Sequence, residues 1–164
     1  MKRLILLALI AAPLSLFAQK IGVVNQAEII QNMPEYTTAQ TELQNTAKQY
    51  DDELKRMQEE LQKKAEAFDK ESATLPDAIK TRRQNELQEM YQKIQTYAQD
   101  AQQNMSQEEQ TKMQAIQEKL TKAIEEVGAT GGYAFVLVDG SMPYINKTVC
   151  TDVTAQVKSK LGLK

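Results

Sequence analysis

The sequence predicts an α+β protein: a long antiparallel α-helical coiled-coil hairpin projecting from a small β-sheet body. Three observations predict it. Apolar or small residues recur every three or four positions from Tyr36 to Phe68, and a second stripe with two longer gaps runs from Ile79 to Val127, with polar residues between them. One break, Ser72-Ala73-Thr74-Leu75-Pro76-Asp77, separates the two runs. Short β-branched runs, Lys20 to Asn25 and Tyr133 to Asp139, lie outside them, one toward each end.

The elements follow in order. Lys2 and Arg3 precede the apolar stretch Leu4 to Phe17, and Ala18-Gln19 offers a cut, so residues 1–18 read as a cleavable signal peptide. An uncleaved membrane anchor is the rival reading. That signal predicts an exported protein. Removing Lys2 and Arg3 takes the net charge from −2 to −4. Such a mildly acidic chain is not built to hold nucleic acid by bulk charge. Lys20–Asn25 is a strand. Asn25 then caps a short helix, with Glu28 placed to complete a capping box. Pro34 ends that helix by disfavouring helical backbone at Met33.

Residues 35–127 are the arm, with its tip near 72–77. No Gly or Pro interrupts Glu35 to Leu75. Pro76 suits the first position of a second helix, and Asp77 faces the positive end of its dipole. A turn this short sends the second helix back antiparallel, and the Pro with its small-residue cluster favours that over one continuous parallel coiled coil. An arm of ~40 residues is roughly 60 Å long at helical rise. Gly128 is the expected C-terminal cap. Residues 19–34 and 128–164 form the β-rich body: the strand Tyr133–Asp139, a turn at Gly140-Ser141-Met142-Pro143, a second strand Tyr144–Lys147, and a last helix capped by Thr151 or Asp152 with Val153, Val157 and Leu161 on one face.

The two ends must meet, because the first strand has no other sheet to join. The body then holds only about 55 residues, and a core of that size supplies ~3–5 kcal/mol at most. With a single cysteine, Cys150, no internal disulfide exists, and with no histidine the commonest metal ligand is missing. Self-association remains. Ile21, Val23, Val24, Phe135, Leu137, Tyr144 and Ile145 are the candidate oligomer residues. Cys150 reads as a small buried hydrophobe.

The chemistry of catalysis is thinly supplied. There is no phosphate loop, no Ser/His/Asp set and no metal-spacing motif, and the pairs Glu59-Glu60 and Glu108-Glu109 point about 100° apart on a helix. The chain reads as a non-enzyme with no cofactor. The arm is the candidate working part. Its seam is narrow, with Ala, Tyr and Met at many steps, and its other faces are rich in Gln. That composition suits a solvated surface, or a wall beside an unfolded chain that does not collapse onto it. Met57, Met90 and Met105 are adaptable contacts, Tyr91 sits on a second, weaker stripe, and Phe68, Leu75 and Ile79 lie at the tip. These seven are the candidate client-binding residues.

In layout the chain resembles the Skp (OmpH-like) family of periplasmic chaperones. The resemblance rests on Val23-Val24-Asn25, the strand end Val138-Asp139, Tyr144, and Asp152-Val153-Thr154 leading to Val157, in order around a hairpin of this length. It implies a homotrimer whose hairpins surround a cavity, acting as an ATP-independent holdase for unfolded outer-membrane β-barrel proteins. A transient contact with the membrane surface fits that role. Familiar members are strongly basic and this chain is acidic, so no lipopolysaccharide-binding residue is carried over. The alternative is an envelope structural or adaptor protein docking one defined partner.

Overall fold

A computed structural model describes residues 20–163. The proposed signal peptide, residues 1–18, lies outside the described residues, as does Lys164. In order the elements are β1 (Lys20–Val24), α1 (Gln26–Asn32), α2 (Pro34–Glu71), α3 (Asp77–Gly131), β2 (Tyr133–Val138), β3 (Thr151–Asp152) and α4 (Thr154–Lys160). By contact the described residues form two compact units: Ile30–Lys119, and residues 20–29 together with 120–163.

In the second unit the three-stranded sheet has the order β2-β1-β3. β1 occupies the middle and pairs parallel with both neighbours, Gly22 opposite Val136 and Val24 opposite Val138 on one side, Val23 opposite Asp152 on the other. Strand alternation divides these side chains between two faces. Gly22, Val24, Val136 and Val138 share the core face. A Cβ on Gly22 would lie 3.3 Å from Val136 and 3.4 Å from Val153. The lack of a side chain there lets the flanking residues close over the strand. Val24, Ile29, Leu120, Val153 and Val157 are completely or almost completely buried in this unit.

Here the sequence reading needs correction. Tyr144–Lys147 is not a strand. The Asn146 side chain accepts from the Thr148 backbone N–H (3.1 Å) and from its hydroxyl (2.7 Å), and Lys147 pairs with Asp139 at 2.9 Å. These local bonds compete with a ladder and win. The third strand comes instead from Thr151–Asp152, and the sheet is wholly parallel. The helix does not stop at Gly128. It runs to Gly131, and Gly132, with φ of +66°, is the residue that turns the chain. Asn25 does cap α1, accepting from the Glu28 N–H at 3.0 Å. The capping box is incomplete, because the Asn25 N–H donates to Thr154 Oγ1 at 2.9 Å and the Glu28 carboxylate binds Lys158. Neither Thr151 nor Asp152 is the N-cap of α4: Val153 holds that position, and Asp152, one residue earlier, accepts from the Thr154 N–H at 2.8 Å.

In the first unit, α2 and α3 run antiparallel. Partners on α3 fall in number as those on α2 rise: Glu35 with Lys119, Glu42 with Lys112 (2.5 Å), Lys64 with Glu86, Glu71 with Arg83 (3.1 Å). Pro34 opens α2 after an extended Met33. At the turn, the Ser72 and Thr74 hydroxyls donate to the carbonyls of Asp69 (3.1 Å) and Glu71 (2.9 Å), satisfying groups the helix end leaves free. Pro76 sits just before α3, one position earlier than its expected place inside it. Its carbonyl accepts from Ile79 and Lys80, both at 2.9 Å.

Candidate interaction surfaces

The apolar stripe of the arm is one residue deep. Ala39, Ile94, Ala101 and Ile116 are buried along it, and the stripe residues from Tyr36 to Phe68 are otherwise half-buried. Midway, the Tyr50 and Tyr97 rings meet edge-on at 5.9 Å between centroids. Desolvation there, with the Glu53 charge nearby, holds the Tyr97 phenol above its ordinary pKa. Below and above this point the seam is flanked by ion pairs. Lys119 donates to Glu35 and lowers its pKa, and Lys64 does the same for Glu86.

The client-binding candidates divide by exposure. Met57, Phe68, Leu75, Met90 and Met105 are half-buried, so each packs in the hairpin and keeps part of its surface open. Ile79 (40%) and Tyr91 (55%) are the well-exposed ones. The structure gathers them on no single patch. Met57 and Met90 line one shallow groove with Ile94, Arg56 and Glu60, and Phe68 lines another with Leu87, Lys64 and Arg83.

The β-bearing unit carries a second surface. Phe135 and Tyr144 are 60% and 78% exposed. Ile21, Leu137 and Ile145 are half-buried, whereas Val23 and Val24 are closed off inside the unit. Phe135 lies beside Ile21 on the sheet face opposite Val24. β2 is an edge strand, and its outer rim pairs with no other strand among the described residues. Sequence reasoning missed Met142 (49%) and Val149 (71%), exposed apolar residues of the same segment. Their only sequence signal was an apolar side chain placed in a turn-like stretch. Cys150 is a half-buried free thiol beside Lys147 and Asp139.

The described residues hold no cluster of His, Cys, Asp and Glu able to bind a metal, and no helix long and apolar enough to cross a membrane. The family model for OmpH-like outer membrane proteins matches residues 20–161, which spans both strand-bearing ends and the whole hairpin. The chain belongs to the OmpH-like family. It is 28% identical over 151 residues to the chaperone protein Skp of Yersinia enterocolitica, covering 91% of this chain and 92% of that one. Its fold is similar to the crystal structure of a Caulobacter crescentus CB15 protein described as an OmpH-like outer membrane chaperone. The TM-score is 0.76 at 17% identity, covering 87% of this chain and 83% of the other. The long hairpin and small sheet are thus a family fold.

Proposed function

We propose that this protein is an ATP-independent holdase of the periplasm, which keeps unfolded outer-membrane β-barrel proteins from aggregating in a cavity between helical arms. One observation carries the reading most directly: in a family that includes a Yersinia chaperone, this arm spends its apolar residues on a seam one side chain deep and leaves its other faces polar and open. Such a surface offers many weak contacts and no single pocket. Met57, Phe68, Leu75, Ile79, Met90, Tyr91 and Met105 supply the apolar share of those contacts.

The working form is a homotrimer in this reading. Phe135, Tyr144, Ile145, Ile21 and Leu137 are the residues through which copies meet, supported from within by Val23 and Val24. The exposed Phe135 ring on the edge strand β2 and the exposed Tyr144 ring in the segment after it support it, because open apolar surface beside an unpaired strand edge is a liability unless something covers it. The adaptor reading gains nothing from the tip, where Phe68 and Leu75 are half-buried and charged residues surround them.

Two measurements test this. Light scattering of a denatured outer-membrane barrel diluted out of urea is expected to stay low when the protein is present without ATP. Unchanged aggregation at molar excess removes the holdase reading. Native mass spectrometry is expected to give three copies for the unmodified protein and single chains for the double variant Phe135→Glu, Tyr144→Glu. A monomeric unmodified protein removes the cavity.

A further inference from the structure

α3 carries a ribbon that neither the seam nor the ion pairs use. Gln84, Gln88, Gln92, Gln95, Gln99 and Gln102 follow one another in steps of four and three, and all are exposed. At 3.6 residues per turn they fall within roughly 40° of one direction, about a third of a turn from the seam. Ser106 continues the line, which extends roughly 30 Å.

Two further observations separate this ribbon from ordinary helix surface. First, charge is excluded from it. The charged residues between Gln84 and Ser106 are Glu86, Glu89, Lys93 and Asp100, and they point roughly 100° to 160° away from it. On α2, at the same levels of the hairpin, the exposed residues Asp51, Asp52, Lys55, Glu59 and Lys63 crowd both signs together. Second, the six amides are open. Gln62 and Gln114 are tied to carboxylates four residues on, at 2.9 and 3.0 Å, whereas none of the ribbon glutamines has a bonding partner among the described residues. Tyr91, 55% exposed, stands on its border between Gln88 and Gln95.

We propose that this amide ribbon on α3 is the face against which the extended backbone of an unfolded polypeptide lies. Each glutamine carries a donor and an acceptor on a flexible stem, so it pairs with either group of a peptide bond. Being neutral, the ribbon neither repels nor selects client side chains by charge. Its steps of about 4.5–6 Å do not match the 3.2–3.4 Å rise of an extended chain, so no register is enforced. Sequence-independent, exchangeable contact results, with Tyr91 adding an aromatic surface for apolar side chains. This inference rests on the holdase reading and names which arm face serves it.

The test exploits neutrality. The chain has no tryptophan, so the fluorescence of a tryptophan-containing denatured outer-membrane barrel reports binding without background. Two triple variants place charge on the ribbon: Gln88→Glu, Gln95→Glu, Gln102→Glu, and the same positions to Lys. Both are expected to weaken binding about fivefold to tenfold, since either sign must now be desolvated beside the client. The triple Asn variant at those positions keeps the amides and is expected to bind within about twofold. Gln49→Glu, Gln58→Glu, Gln62→Glu on α2 is the charge-matched control and is expected to bind as the unmodified protein does. Circular dichroism confirms helix content throughout. Weakening by one sign alone, or equal weakening by the α2 control, overturns the ribbon as the client face, as does unaltered binding by both charged variants. Failure of the unmodified protein to bind removes the holdase reading itself, and the ribbon falls with it.

Discussion

The two units of this chain are built on opposite economies of contact. The β-bearing unit buries Val24, Ile29, Leu120, Val153 and Val157 almost completely, using residues from both ends of the sequence. The hairpin unit is longer, yet its buried side chains beyond Met33 are Ala39, Ile94, Ala101 and Ile116, strung along one line. The first is a small core with depth. The second is a zipper whose stability is spread thinly and locally.

The sharpest way to break this comparison is Leu120→Ala. Leu120 has no exposed surface, and the cavity left behind should cost toward the upper end of ~2–5 kcal/mol, read as a lower urea midpoint. Equal tolerance of alanine at Leu120 and at a seam position would show that the β-bearing unit has no deeper core. A smaller effect is expected from Ile94→Ala in the hairpin, about 2 kcal/mol at the low end of the same range, because neighbouring helices can close over a one-residue gap. Hydrogen exchange should locate that loss in the arm alone. Protection falling equally in β1 would mean that the two units unfold as one.

The smallest effect is expected from acid. Glu35 and Glu86 have pKa values below the ordinary 4.5 because Lys119 and Lys64 donate to them. A lowered folded-state value means stability that is present above pH 4.5 and is lost as pH falls through the lowered values. The arm should therefore lose a little helicity below that pH, and added salt should mimic the change, since the pairs are largely exposed. A gain in helicity on acidification would reverse the assigned sign.

The hairpin was legible in the sequence because its signal is local and repeated. Each stripe position from Tyr36 to Phe68 is half-buried or buried, and the hydroxyl-rich turn before Pro76 ends α2 where the pattern breaks. The sheet was legible only in part. Val23-Val24 and Tyr133–Val138 announce strands, but nothing near Thr151 announces that two residues there will flank β1. Partner choice in a sheet is a long-range matter, and the alternating look of Tyr144–Lys147 lost to two bonds between Asn146 and Thr148, two residues apart. Gly128 misled because glycine within a long helix is tolerable when the rest of the helix continues, and of Gly128, Gly131 and Gly132 only the last adopts the left-handed backbone. Of the candidate surfaces, Phe135 and Tyr144 were readable as apolar residues in a polar chain. The ribbon on α3 was visible as abundant glutamine, but its segregation from charge needed the helix to be placed.

The central position of β1 sets a timetable. Synthesis delivers residues 20–24 well before the flanking strand at Thr151–Asp152, and the hydrogen bond from Asn25 to Thr154 spans 129 positions. Helices close through neighbouring turns, whereas this sheet must wait for a segment far along the chain. A chain cut between Gly132 and Thr151 would own α1, α2 and α3 in full and still lack β3 and the Thr154 partner of Asn25, so its sheet would stay open along one side of β1.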